Sequence, residues 1–126
     1  MKEIVLLYHL DEKAKQIIET IMKQLDVHVK VINDSDINQT MGYLLEIPGF
    51  EKSEEAFEEE LEKEFIFFAG FSEEQLDLVL EIFKTADVPY IPFKAMLTND
   101  NVEYPFYRLY QNVAHEYEQI TQGFNH

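Results

Sequence analysis

The 126-residue sequence contains no cysteine and no tryptophan. Without cysteine there is no disulfide framework and no thiolate metal site. Long apolar runs are missing too. The longest, residues 4–8 and 65–69, fall far short of the roughly 20 residues that a membrane-spanning helix needs. Nothing resembles a signal peptide, so the reading is a soluble, cytoplasmic protein with no membrane association. Positive charge is scarce, with 10 Lys and Arg against 25 Asp and Glu and a formal net charge of −15. Such a surface repels phosphates, which argues against a nucleic-acid partner. There is no P-loop and no GxGxxG fingerprint. What is present is ordinary for a globular chain: 46% hydrophobic residues, enough to build one core over residues 1–126.

The charge is uneven. Residues 51–64, EKSEEAFEEELEKE, carry eight acidic and two basic side chains. Phe50, Phe57 and Leu61 fall at helical spacings within or beside this run, although like charges oppose a helix there. The segment reads as a solvated, partly helical connector over about 50–63, with a docking patch for a basic partner as the functional alternative.

On either side of the connector the same pattern occurs, as one βαβα unit over about 1–49 and another over about 64–122. Residues 3–8 form an apolar strand. Asp11 is placed to cap a helix through Ala14, Ile18, Ile21 and Leu25. Residues 27–32 alternate as a half-buried strand. Asp36 with Gln39 resembles a capping box opening a second helix, which Pro48-Gly49 stops. In the second unit, 65–69 is a strand and Ser72 with Gln75 is a capping box. Residues 90–93 are a short strand between prolines, with a possible run-on to Leu97, and Pro105 opens a last helix. Shifted by 61 residues, the units overlay without a gap. Glu3 meets Glu64, Glu12 meets Glu73, Ile21 meets Ile82, Lys23 meets Lys84, and Asp26-Val27 meets Asp87-Val88. This reads as an internal repeat.

Strands one and three are apolar on both faces and belong in the centre, whereas Pro92 marks strand four as an edge. The expectation is a small α/β domain with a four-stranded sheet of order 2-1-3-4. If the central strands are parallel, helices one and three lie on opposite faces. The alternative is a two-layer α+β sheet with those strands antiparallel about a pseudo-twofold axis. In the parallel case the strand ends share one rim, the usual ligand crevice of such sheets.

That rim supplies the candidate binding residues: Lys94, Thr98, Asn101, Asp34, Asp36, His9 and Ser72. Lys94 is the one Lys or Arg between Lys84 and Arg108. It reads either as an anion or carbonyl ligand or as an edge lysine paired with Asp34, Asp36, Asp100 or Glu103. Residues 98–101 read as a polar turn, without the central Gly and distant Glu of an EF-hand. His9, Asp34 and Asp36 are metal-ligating types, but their spacing demands no metal. Ser72 opens a helix whose first turn is already filled by Glu73 and Glu74, which repel phosphate. No nucleophile–base arrangement is legible among the histidines at 9, 28, 115 and 126. No catalytic residue, metal or cofactor is assigned. Phe106, Tyr110 and Tyr117 are placed to face the sheet, with Tyr107 off that stripe.

The runs Met41-Gly42-Tyr43-Leu44, Pro48-Gly49-Phe50, Gly70-Phe71-Ser72 and Lys94-Ala95-Met96-Leu97-Thr98 with Asn101 resemble the uncharacterised bacterial domain-of-unknown-function family "thirty-seven eighty-three". The resemblance covers nearly the whole chain and implies a single domain. It implies no activity. The expected function is a non-enzymatic binding or protein-interaction module, partnered by another protein or by itself. The alternative is a small-molecule sensor or small enzyme using the rim around Lys94.

Overall fold

The apolar runs and caps fold as their spacing dictates. In the computed structural model, which describes residues 1–57 and 59–123, β1 (Ile4–Tyr8) is followed by α1 (Glu12–Gln24) and β2 (His28–Ile32). A 3-10 turn at Asp34–Asp36 and a short α2 (Met41–Leu44) complete the first unit. The second unit comprises β3 (Phe65–Ala69), α3 (Glu73–Thr85), β4 (Phe93–Met96), a 3-10 turn at Asn101–Glu103, and α4 (Phe106–Gly123). Glu58 and His126 lie outside the described residues.

The sheet has the expected order β2-β1-β3-β4. β1 runs parallel to β2 and β3 parallel to β4, but β1 and β3 are antiparallel, with Leu6 opposite Phe67. The parallel arrangement is therefore overturned at the centre of the sheet. The placement of the helices changes for the same reason. Each β–α–β crossover is right-handed by preference, and an antiparallel central pair relates the units by a twofold axis normal to the sheet. That axis keeps both crossover helices on one face instead of sending them to opposite faces.

Three layers result. On one face Val5, Leu7, Ile66 and Phe68 pack with Ile18 and Met22 of α1 and Val79 and Phe83 of α3. On the other, Leu6, Tyr8, Phe65 and Phe67 pack with Met41 and Leu44 of α2 and Phe106, Leu109 and Tyr110 of α4. Both central strands are thus covered twice, which is why they carry apolar side chains throughout.

Helix ends follow their caps. The Asp11 side chain accepts from Ala14 N at 2.8 Å, and Ser72 with Gln75 forms a reciprocal capping box. The Asp36–Gln39 capping box does not form. Asp36 instead closes a box with Asn33, Thr40 caps α2, and Gln39 is buried. Its amide exchanges hydrogen bonds with the backbone of Ser53, at 2.7 and 3.1 Å. β4 begins at Phe93, not at residue 90. Pro89 and Pro92 cannot donate to a ladder, and Tyr90 is 73% exposed.

The acidic connector is not helical among its described residues; it is irregular and pinned. Phe57 stacks on Tyr107, with ring centroids 3.9 Å apart, and Leu61 is buried. Lys63 N donates to the Tyr110 hydroxyl at 2.8 Å, and the Asn38 amide donates to the Glu55 carbonyl. Tyr107, off the sheet-facing stripe of α4, is the platform for this segment. The described glutamates of residues 51–60 stay exposed, as a solvated face requires.

Candidate functional site

Antiparallel β1 and β3 divide the expected rim. Tyr8 pairs with Phe65 and Ile4 with Ala69, so β1 and β3 finish at opposite ends of the sheet, about 14 Å apart for five-residue strands. His9, Asp34 and Asp36 lie at one end. Ser72, Thr98 and Asn101 lie at the other, where Leu97 N donates to the Phe68 carbonyl.

At the first end three side chains meet. The Tyr8 hydroxyl is 2.7 Å from Asp34 Oδ1 and 3.0 Å from the Leu61 carbonyl oxygen, so two acceptors share its proton. His9 Nε2 reaches the same Oδ1 at 2.7 Å, and its ring stacks on Tyr8 at 4.0 Å. The Tyr8 hydroxyl holds the Asp34 carboxyl below the usual carboxylate range, with help from His9. Burial, and then Asp34, pushes the Tyr8 hydroxyl well above the ordinary tyrosine range. Asp36 belongs to the Asn33 box. Among the described residues no three His, Asp or Glu side chains are grouped to hold a metal. The arrangement ties β1 to the turn after β2 and to the connector.

At the second end the polar groups satisfy one another. Thr98 N donates to Asn101 Oδ1 at 2.8 Å, Asn101 N donates to Thr98 Oγ1 at 3.0 Å, and the Asn101 amide donates to the Met96 carbonyl at 2.8 Å. Asn101 is buried, so its three bonds close the turn into α4. Ser72 is engaged as the α3 cap.

Lys94 stands apart from both groups. It lies opposite Ile66 on the edge strand, on the α1–α3 face of the sheet. Here α3 and the 88–91 segment leave a cleft of about 360 Å³. Ile66, Leu80, Phe83, Val88 and Ile91 give it apolar walls, and Tyr90 stands at the same opening. Among the described residues the charged lining groups are Lys84 and Lys94, and no carboxylate lines it. Lys94 Nζ donates to the Ile91 carbonyl at 2.6 Å and sits 4.6 Å from the Tyr90 ring centroid. Asp34, Asp36, Asp100 and Glu103 form no ion pair with it, so the edge-pair reading of Lys94 is overturned. Half-buried and without an acid, its ammonium is pushed below the usual lysine range by burial.

Of the candidate residues the structure thus brings together His9 with Asp34, and Thr98 with Asn101. It leaves Lys94 apart from the other candidates, in a cleft that it shares with Lys84. Lys84, Tyr90 and Ile91 were not singled out in the sequence. The two prolines around 90 and 91 were the available signal, because they keep that segment out of the ladder and let it form the cleft wall.

No curated protein and no solved structure matches the chain. The family model that matches covers residues 64–120, the unit that builds the Lys94 cleft, a span shorter than the near-whole-chain resemblance implied. That model describes a domain of unknown function, DUF3783, and the C-terminal unit of this chain carries its match.

Proposed function

We propose that this chain is a non-enzymatic binding module of the bacterial cytoplasm, and that its site is the Lys94 cleft. Its ligand is a small apolar molecule with a carbonyl or carboxylate oxygen at one end. One observation carries the reading: an amine with no carboxylate partner among the described residues opens onto a cavity of about 360 Å³ whose walls are mostly apolar. That volume is at the lower end of the roughly 300–1,000 Å³ typical of ligand sites. Apolar walls with one or two convergent donors are the composition such sites use, the walls for affinity and the donor for orientation. Lys84 adds positive charge at the same opening, against a net charge of −15 for the chain. The matching lengths of β1 with β3 and of α1 with α3 also favour an internal repeat, with the second unit adapted to binding.

Titration with octanoate, followed by amide NMR, tests this reading. Shifts concentrated on the residues of α3, 88–91 and β4 are expected. Lys94→Met should weaken binding while leaving the melting temperature level or higher, because it removes an ion from apolar surroundings. Saturable shifts located elsewhere, or equal affinity in Lys94→Met, would overturn the assignment.

A further inference from the structure

We propose that Lys94 Nζ captures apolar aldehydes and ketones in this cleft as a reversible imine. The proposal rests on the binding reading above and names the ligand class that the same site takes covalently.

The geometry separates Lys94 from an ordinary surface lysine. Its Nζ contacts a carbonyl oxygen and an aromatic ring, neither of which carries the full negative charge of a carboxylate. Among the described residues no carboxylate lies within 4.0 Å to hold the charged form. Lys84 shares the cleft, so its opening carries a second positive charge and, among the described residues, no acid. Lys30 is an internal control. It too is partly buried and donates to a backbone carbonyl, that of Leu44 at 2.9 Å, but its cleft includes Glu46. Burial also lowers the Lys94 ammonium, increasing the nucleophilic fraction at neutral pH.

The chemistry needs no co-reactant. The Nζ lone pair attacks the carbonyl carbon, the new C–N bond forms, and the C=O π pair moves to oxygen. Both hydrogens of the neutral amine end on that oxygen, which leaves as water while the C=N bond forms. Hydrolysis reverses each step. The apolar walls hold the alkyl chain and place the carbonyl beside Nζ, supplying proximity.

The intact protein is incubated with octanal and cyanoborohydride, and the alkylated lysines are mapped by peptide mass spectrometry. Lys94 is expected to be labelled roughly tenfold or more above Lys30 and each fully exposed lysine, as expected for an activated amine. Excess octanoate should suppress labelling at Lys94 alone. Lys94→Arg removes the imine-forming amine, so it should lose the dominant adduct. Labelling spread over the lysines according to exposure would overturn the proposal. If octanoate still shifts the cleft residues in that case, the binding reading survives and only imine capture fails. If octanoate shifts nothing there either, both fail.

Discussion

The two βαβ units differ at one place, and that place holds the cleft. β1 and β3 have five residues each and α1 and α3 have thirteen, each pair offset by 61 positions. The backbone agrees in detail. Asp26 and Asp87 end the equivalent helices at φ 57° and 58°, and His9 and Gly70 leave the equivalent strands at φ 57° and 83°. Val27 N donates to the Met22 carbonyl as Val88 N donates to that of Phe83, both at 2.9 Å or less. After this point the units part. β2 begins at His28, with Ile4 opposite, and the same register would place Pro89 opposite Phe65. Phe93 stands there instead, four residues later. The extra chain, with a proline on each side of Tyr90-Ile91, arches away from the sheet. Both units leave a hollow beside the helix end. That of the first, about 310 Å³, is lined by Glu19 and Asp26 as well as Lys23, whereas the lining of the second holds Lys84 and Lys94 and, among the described residues, no carboxylate. The left-handed exits teach the same lesson. Gly70 needs its missing side chain, because a Cβ there would lie 3.0 Å from the Lys2 carbonyl oxygen. His9 bears a side chain at the matching position and uses it to reach Asp34.

The contact that joins the units should be the most sensitive to change. Phe67→Asp, or Leu6→Asp on the opposing strand, puts an unpaired charge at the fully buried centre of the sheet. The cost, of order 5 kcal/mol or more, approaches the whole stability of a typical domain. No cooperative thermal transition is expected; a folded variant would remove the two strands from the centre.

Ile91→Ala tests the segment that distinguishes the second unit. Ile91 is 5% exposed, so truncation should cost about 2–4 kcal/mol in chemical denaturation. A loss below ~0.5 kcal/mol would show that the arch is not packed as described.

Tyr8→Phe addresses the polar knot of the first unit, with an expected loss of about 1–2 kcal/mol at neutral pH. Its pH dependence has a definite sign. The folded-state Tyr8 pKa is raised, so unfolded chains lose the tyrosine proton first and wild-type stability falls as pH climbs past about 10. The folded-state Asp34 pKa is lowered. Its contribution is therefore present above the unfolded value of about 4 and disappears as pH falls through the folded one. The Phe variant should flatten both limbs. An unchanged profile would separate Tyr8 and Asp34 energetically.

The smallest effect belongs to the connector acids. Replacing Glu54, Glu55, Glu59 and Glu60 with Gln should leave stability level or slightly raised at low salt, since these side chains are exposed on a strongly acidic chain. A marked loss would reveal specific internal contacts.

Much of this architecture was legible in the residues. Apolar runs with caps located β1, β3, α1 and α3, and the burial expected of the two apolar strands, with the edge marked by Pro92, set the strand order. The direction of β1 against β3 was not legible, because strands covered on both faces look alike in either orientation. That ambiguity drew His9 and Asp34 onto the same rim as Thr98 and Asn101. The helical spacing of Phe57 and Leu61 was misleading for another reason: both are anchors of an irregular segment, one on Tyr107 and one in the core. Lys94 was singled out by its isolation among acids, yet its setting depended on an arch whose shape two prolines permit without specifying it.

The start of α4 is stitched to the first unit. Met41 N donates to the Tyr104 carbonyl, Phe106 N to that of Gln39, and Tyr107 N to that of Ile37, all within 3.0 Å. The last helix therefore roofs strands of both units. The span matched at 64–120 is a stretch of inheritance, whereas the cooperative object extends across the connector in both directions. Cleavage in the connector should leave two fragments that co-elute and melt together, and residues 64–126 made alone should expose the apolar side of α4 and self-associate.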